Sequence, residues 1–78
     1  MLSSGQIRAA RALLRWTADD LAKESVIGVA TIRRLELQDG VPKTNTNTLV
    51  LIKKTLERVG IEFIGDPDNS PGVRLIIK

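Results

Sequence analysis

Cysteine and histidine are both missing from this 78-residue chain. Without cysteine there is no disulfide framework and no thiolate metal site. Without histidine the chain lacks the usual general base, the commonest metal ligand and the side chain that titrates near neutrality. No apolar run approaches the length needed to cross a bilayer, so no membrane partner is expected. There is also no phosphate-cradling glycine loop and no pair of carboxylates at metal-ligand spacing. An enzyme, a metal and a cofactor are therefore not expected. Arg8, Arg11 and Arg15 interrupt the early apolar pattern, which is wrong for a signal peptide, and cytoplasmic residence is the expectation.

The length suits one small domain, and a core of that size is marginal enough to make a partner subunit a reasonable expectation. The formal charge of +3 is unevenly placed. Residues 1–60 hold ten Lys/Arg against six Asp/Glu, a balance of +4, whereas residues 61–78 hold two against three, a balance of −1. The basic excess thus sits with the N-terminal part, a bias compatible with a polyanionic partner.

Residues Thr17 to Glu36, TADDLAKESVIGVATIRRLE, are the most informative stretch. Leu21, Ala22, Ile27, Ile32 and Leu35 have the spacing of two short amphipathic helices that cross and bury a shared face. The second of these would project Arg33 and Arg34 outward, as the reading helix of a helix-turn-helix does. Around this pair the helix grammar repeats. Ser3 and Gln6 have capping-box spacing, with Leu2 and Ile7 as the hydrophobic staple, so a first helix starts at Ser3. Ile7, Ala10 and Leu14 are its core stripe, with Leu13 beside them. Arg8, Arg11 and Arg15 form a second stripe; for Arg8 and Arg15 a solvated face and a contact role are equally open.

Thr17 and Asp20, bracketed by Trp16 and Leu21, start the second helix the same way, and Asp19 and Asp20 suit its dipole. Trp16 reads as a core wedge between helices. The third helix is expected over about Val29 to Leu37, with Gly28 near its N-cap and Gly40 beyond its end. Gln38 to Thr48 is a loop by composition, with Pro42 barring helix continuation. Asn45 or Thr46 caps a fourth helix whose apolar stripe is Leu49, Ile52, Leu56 and Val59, closed by Gly60. Lys53 and Lys54 lie off that stripe and read as solvated. Beyond Gly60 the period alternates, predicting strands over Ile61–Ile64 and Val73–Lys78 separated by Asp66–Gly72. Two such strands are not stable as an isolated hairpin. They either pair edge to edge with a second copy, the favoured expectation, or pack on the helices of their own subunit.

With these residues assembled, the chain resembles the phage repressor/Cro type of helix-turn-helix, the xenobiotic-response-element family of bacterial regulators. The resemblance covers about Ile7 to Gly60. RALLRWTADDLA (Arg11 to Ala22) is similar to the family's opening, with Leu21–Ala22 at the tight helix crossing, and ATIRRLELQDG (Ala30 to Gly40) to its recognition helix and exit. The tail GIEFIGDPDNSPGVRL (Gly60 to Leu75) is similar to an extension of small bacterial members.

The resemblance implies a mainly α fold, a repressor/Cro-like helix-turn-helix domain over 1–60, followed by a C-terminal β-hairpin over 61–78 that serves dimerisation. It also implies sequence-specific binding of double-stranded DNA. Arg11 and Glu36 match a family pair that salt-bridges the first helix to the end of the third. Val29, Ala30, Arg33 and Arg34 fall at base-reading positions. Ala18, Thr31, Lys43, Thr44, Asn45 and Thr46 fall at phosphate-contacting ones. Departures from the pattern carry expectations of their own. Ala18 replaces a polar residue, often glutamine. Val29 and Ala30 replace polar readers and offer only apolar contacts, for instance with a thymine methyl. Val26 stands where glycine is usual, and a left-handed conformation strains valine, so a turn of different shape is expected. The leading expectation is a homodimeric DNA-binding transcriptional regulator, acting as a repressor. The alternative is a protein-interaction module on the same fold, such as an antitoxin with a toxin partner, in which Val26, Val29 and Ala30 form an apolar contact patch.

Overall fold

Three of the four helices described start where a side chain takes up a free amide of the first turn. The computed structural model describes residues 1–77, and Lys78, the expected end of the second strand, lies outside them. Helix α1 spans Ser4–Leu14, α2 Ala18–Ser25, α3 Val29–Glu36 and α4 Thr46–Arg58; strands β1 (Ile61–Asp66) and β2 (Asn69–Leu75) follow. Ser3 and Gln6 close a full capping box on α1, and Thr17 and Asp20 close another on α2. The α4 cap is Asn45, whose side chain accepts from the Asn47 amide at 2.8 Å. Only α3 lacks a side-chain cap, because its N-cap is Gly28. The third helix ends one residue before the expected Leu37, which is its C-cap and stands 87% exposed.

About half of the described chain is helical, and the core is shared by all four helices. Ile7 and Ala10 of α1, Leu21 of α2, Ile32 and Leu35 of α3, and Leu49, Ile52 and Leu56 of α4 are buried together with Leu2 and Ile61. Trp16, Ala18, Ala22 and Ile27 pack half-buried against this cluster, so Trp16 is a wedge and not a free platform. In α4 the buried stripe includes Thr55, whose hydroxyl donates to the Leu51 carbonyl at 2.8 Å, while Val59 is only half-buried at the C-cap.

The hairpin is antiparallel, with Ile61 opposite Leu75, Phe63 opposite Val73 and Asp66 opposite Asn69. Its second strand begins at Asn69, four residues before the expected Val73, and Ile76 and Ile77 lie beyond it. The reason is a tight turn at residues 67–68 preceded by a bulge at Gly65. Gly65 has φ +71°, and a Cβ there would collide with the carbonyl oxygens of Asn69 and Ser70. This bend folds the polar, Pro-containing segment back into the ladder, where an edge position tolerates Pro71. The hairpin packs on its own subunit: Ile61 is buried, and Phe63, Val73 and Leu75 lie against the core. Gln6 fastens it further, because its Nε2 donates to the Ile64 and Gly72 carbonyls at 3.2 and 3.0 Å while its Oε1 completes the α1 capping box. No described helix is long and apolar enough to cross a membrane.

Candidate nucleic-acid interface

Two short helices in succession, α2 and α3, are set by the turn at residues 26–28. Ser25 is buried and returns its hydroxyl to the Leu21 carbonyl at 2.7 Å, ending α2. Val26 then adopts φ 59° and ψ 33°, the left-handed conformation, with its amide bonded to Ala22 O. The Ile27 amide shares that carbonyl at 3.1 Å, and Ile27 turns its side chain onto the core. The expectation of a differently shaped turn is therefore corrected. The α2 C-terminal hydrogen bonds and the anchoring of Ile27 impose the glycine-like conformation on a valine that is 89% exposed.

On the inner side of α3, Ile32, Leu35 and Glu36 are buried. Glu36 is the helix's only carboxylate, and Arg11 grips it with two bonds, Nε at 2.7 Å and Nη2 at 2.5 Å. A third bond runs from Arg11 to the Trp16 carbonyl at 2.9 Å, which ties the α1–α2 junction to the same knot. The hydrogen bonding of Arg11 to Glu36, and the charge of that carboxylate, raise the pKa of Arg11 against the opposing effect of burial. Because the folded value exceeds the unfolded one, this contribution is present through neutral and mildly alkaline pH. It is lost only on climbing past the arginine range.

Two further α1 residues hold the end of α3, and neither role was foreseen. Ser4 donates from Oγ to the buried Leu35 carbonyl at 2.6 Å, and Arg8 donates to the Glu36 carbonyl. Both fill carbonyl positions that a helix C-terminus leaves open, and the Arg8 cation also suits the negative end of the dipole. Arg8 therefore makes a contact while remaining exposed. The signal was present in the spacing: Ser4, Arg8 and Arg11 recur at i, i+4 and i+7, one face of one helix. Arg15, by contrast, is exposed and left-handed at the α1 C-cap.

The outer side of α3 carries Ala30, Arg33, Arg34 and Leu37, all exposed, with Val29 and Thr31 half-exposed at its flanks. With Glu36 turned inward, every formal charge on this outer side is positive. Arg33 approaches Asp19 of α2 at 3.7 Å, a pair exposed enough on both sides to be weak. Arg34 has no carboxylate within salt-bridge distance among the described residues. Ala18 is half-buried against the core, so its side chain is packing and only its place in the first turn of α2 faces outward chemistry. Of the loop residues, Lys43, Asn45 and Thr46 are exposed and Thr44 is half-buried. The loop is braced from inside: the Lys43 amide donates to Gln38 Oε1 at 2.8 Å, the Ser4 amide to Gly40 O at 2.9 Å, and Pro42 is buried. No group of acidic residues among those described is placed to hold a metal ion.

No protein-family model matches the chain, and a search of curated proteins finds none similar to it in sequence.

Proposed function

We propose that this protein is a repressor/Cro-type helix-turn-helix transcriptional regulator that binds double-stranded DNA with α3 in the major groove. One observation carries the reading: α3 buries its sole carboxylate on Arg11 and leaves an exposed outer side whose only charges are Arg33 and Arg34. A short rod with a neutralised inner side and a cationic outer side suits a trench walled by phosphates. In this reading Arg34 and Arg33 meet base edges, with guanine the natural partner of an arginine fork. Val29 and Ala30 meet apolar features of the groove. Thr31, the amides at the start of α2 near Ala18, and the Lys43–Thr46 segment touch phosphate.

A second copy fits the same reading. In this reading the two α3 helices of a dimer enter half-sites one turn of duplex apart, roughly 34–36 Å. The C-terminal hairpin is the proposed contact, because each strand of a two-stranded sheet has only one strand neighbour among the described residues. The exposed side chain of Val26, with Val29 and Ala30 following it, supports a second reading, an antitoxin-like module whose apolar patch meets a toxin. A toxin-like reading frame beside the gene discriminates between the two.

The test of the DNA reading is selection from random duplexes at fixed salt, followed by gel shifts across a salt series. The expected result is a two-half-site consensus whose affinity falls steeply with salt. Failure to enrich any sequence over bulk DNA removes the reading.

A further inference from the structure

Among the described residues, three other than glycine have positive φ: Arg15, Val26 and Ser70. Arg15 and Ser70 are unbranched at Cβ, and short or flexible side chains carry this conformation at modest cost. Val26 is β-branched, which makes the left-handed conformation a genuine outlier. Its side chain returns nothing to the fold, since the residue is 89% exposed and stands outside the core cluster. Glycine or asparagine would make the same turn with less strain. A strained residue that contributes nothing internally points to a contact outside the molecule.

We propose that Val26 is a specificity-determining residue whose isopropyl group contacts the 5-methyl group of thymine at the edge of the site read by α3. The inference rests on the DNA-binding reading given above and names the chemistry that its entrance selects. Val26 leads through Ile27 and Gly28 directly into α3, and the next two residues, Val29 and Ala30, also have side chains without donors or acceptors. The cations lie further along, at Arg33 and Arg34. The side chains at the entrance of the site, Val26, Val29 and Ala30, are therefore apolar. In the major groove the thymine methyl is the one apolar feature a base pair presents. Charge complementarity from the two arginines selects a polyanion as the occupant over an apolar protein surface.

The test uses the duplex enriched by the wild-type protein and a second duplex with deoxyuridine replacing thymine, one position at a time. That exchange deletes the methyl and leaves base pairing intact. Val26→Gly and Val26→Asn are compared with the wild type, with thermal melting as the folding control. Both variants are expected to melt at or above the wild-type temperature. Wild-type binding is expected to weaken about fourfold at one thymine per half-site, roughly the worth of one buried methyl. The variants, which lose the contact in both half-sites, are expected to bind the thymine duplex about fifteenfold more weakly and to be indifferent to the same replacement. Equal sensitivity of wild type and variants to deoxyuridine overturns the proposal, as does unchanged affinity of both variants, which would assign Val26 to a protein surface. If the wild type enriches no duplex, the DNA reading itself fails and this inference falls with it, before any variant is made.

Discussion

The two sides of α3 differ as sharply as any two regions of the molecule. The inner side has Ile32, Leu35 and Glu36 buried, its polar groups are gripped by Ser4, Arg8 and Arg11, and no described buried side-chain polar atom lacks a partner. The outer side has Ala30, Arg33, Arg34 and Leu37 exposed, with a single weak ion pair. Eight residues thus separate what holds the helix from what the helix presents. The lesson is mechanical. A short helix with no side-chain N-cap is marginal by itself, so it is fixed from its C-terminal end by another helix, and its outer surface is left free for recognition.

Substitutions should fall into two groups that do not mix. On the inner side, Leu35→Ala is expected to cost about 2–5 kcal/mol, read by denaturant unfolding, because it opens a cavity at a fully buried site. Glu36→Ala should cost about 3 kcal/mol by the same measurement, since it strands Arg11 with only the Trp16 carbonyl. The double change Arg11→Met with Glu36→Leu should cost less than the two single losses summed, because no half-buried charge is left unpaired. If Glu36→Ala were neutral, the grip from α1 would not be what fixes the helix.

On the outer side, Arg34→Ala should leave stability within about 0.5 kcal/mol and cost about 1–3 kcal/mol in binding, concentrated at one base pair of the selected site. Lys43→Ala should instead weaken all duplexes alike and reduce the slope of affinity against salt by about 1. Competition gel shifts at several salt concentrations separate these outcomes, and identical behaviour of the two variants would abolish the distinction between readers and clamps. The smallest effect belongs to Asp19→Asn. It should change stability by at most about 1 kcal/mol, because the Asp19–Arg33 pair is exposed, and should tighten duplex binding at low salt by releasing Arg33.

What the sequence made legible was local. Capping boxes at Ser3 and Thr17 and the apolar stripes involve near neighbours, and the Arg11–Glu36 pair came from the family resemblance. The roles of Arg8 and Ser4 were legible only as a face shared with Arg11, because nothing in the donors' own neighbourhood says which carbonyls on another element that face meets. Gln6 was half legible: its capping bond is a three-residue matter, but its bonds to Ile64 and Gly72 depend on a hairpin 58 and 66 residues away. The start of β2 was hidden because Pro67, Pro71 and Gly72 read as loop, while the bulge at Gly65 turns that segment into ladder. At Val26 the residue type argued for a different turn, and the hydrogen bonds of α2 outweighed a local preference of about 1–2 kcal/mol.

The most direct measurement is a titration of the isotopically labelled protein with its selected duplex, following backbone amides and arginine side chains by NMR. Shifts concentrated on Val26 to Leu37 and Lys43 to Thr46, with the Arg34 side chain among the largest and Ile32 and Leu35 little changed, are the predicted result. Shifts centred on the hairpin or on α4, with the outer side of α3 silent, would contradict the assignment of that surface to DNA.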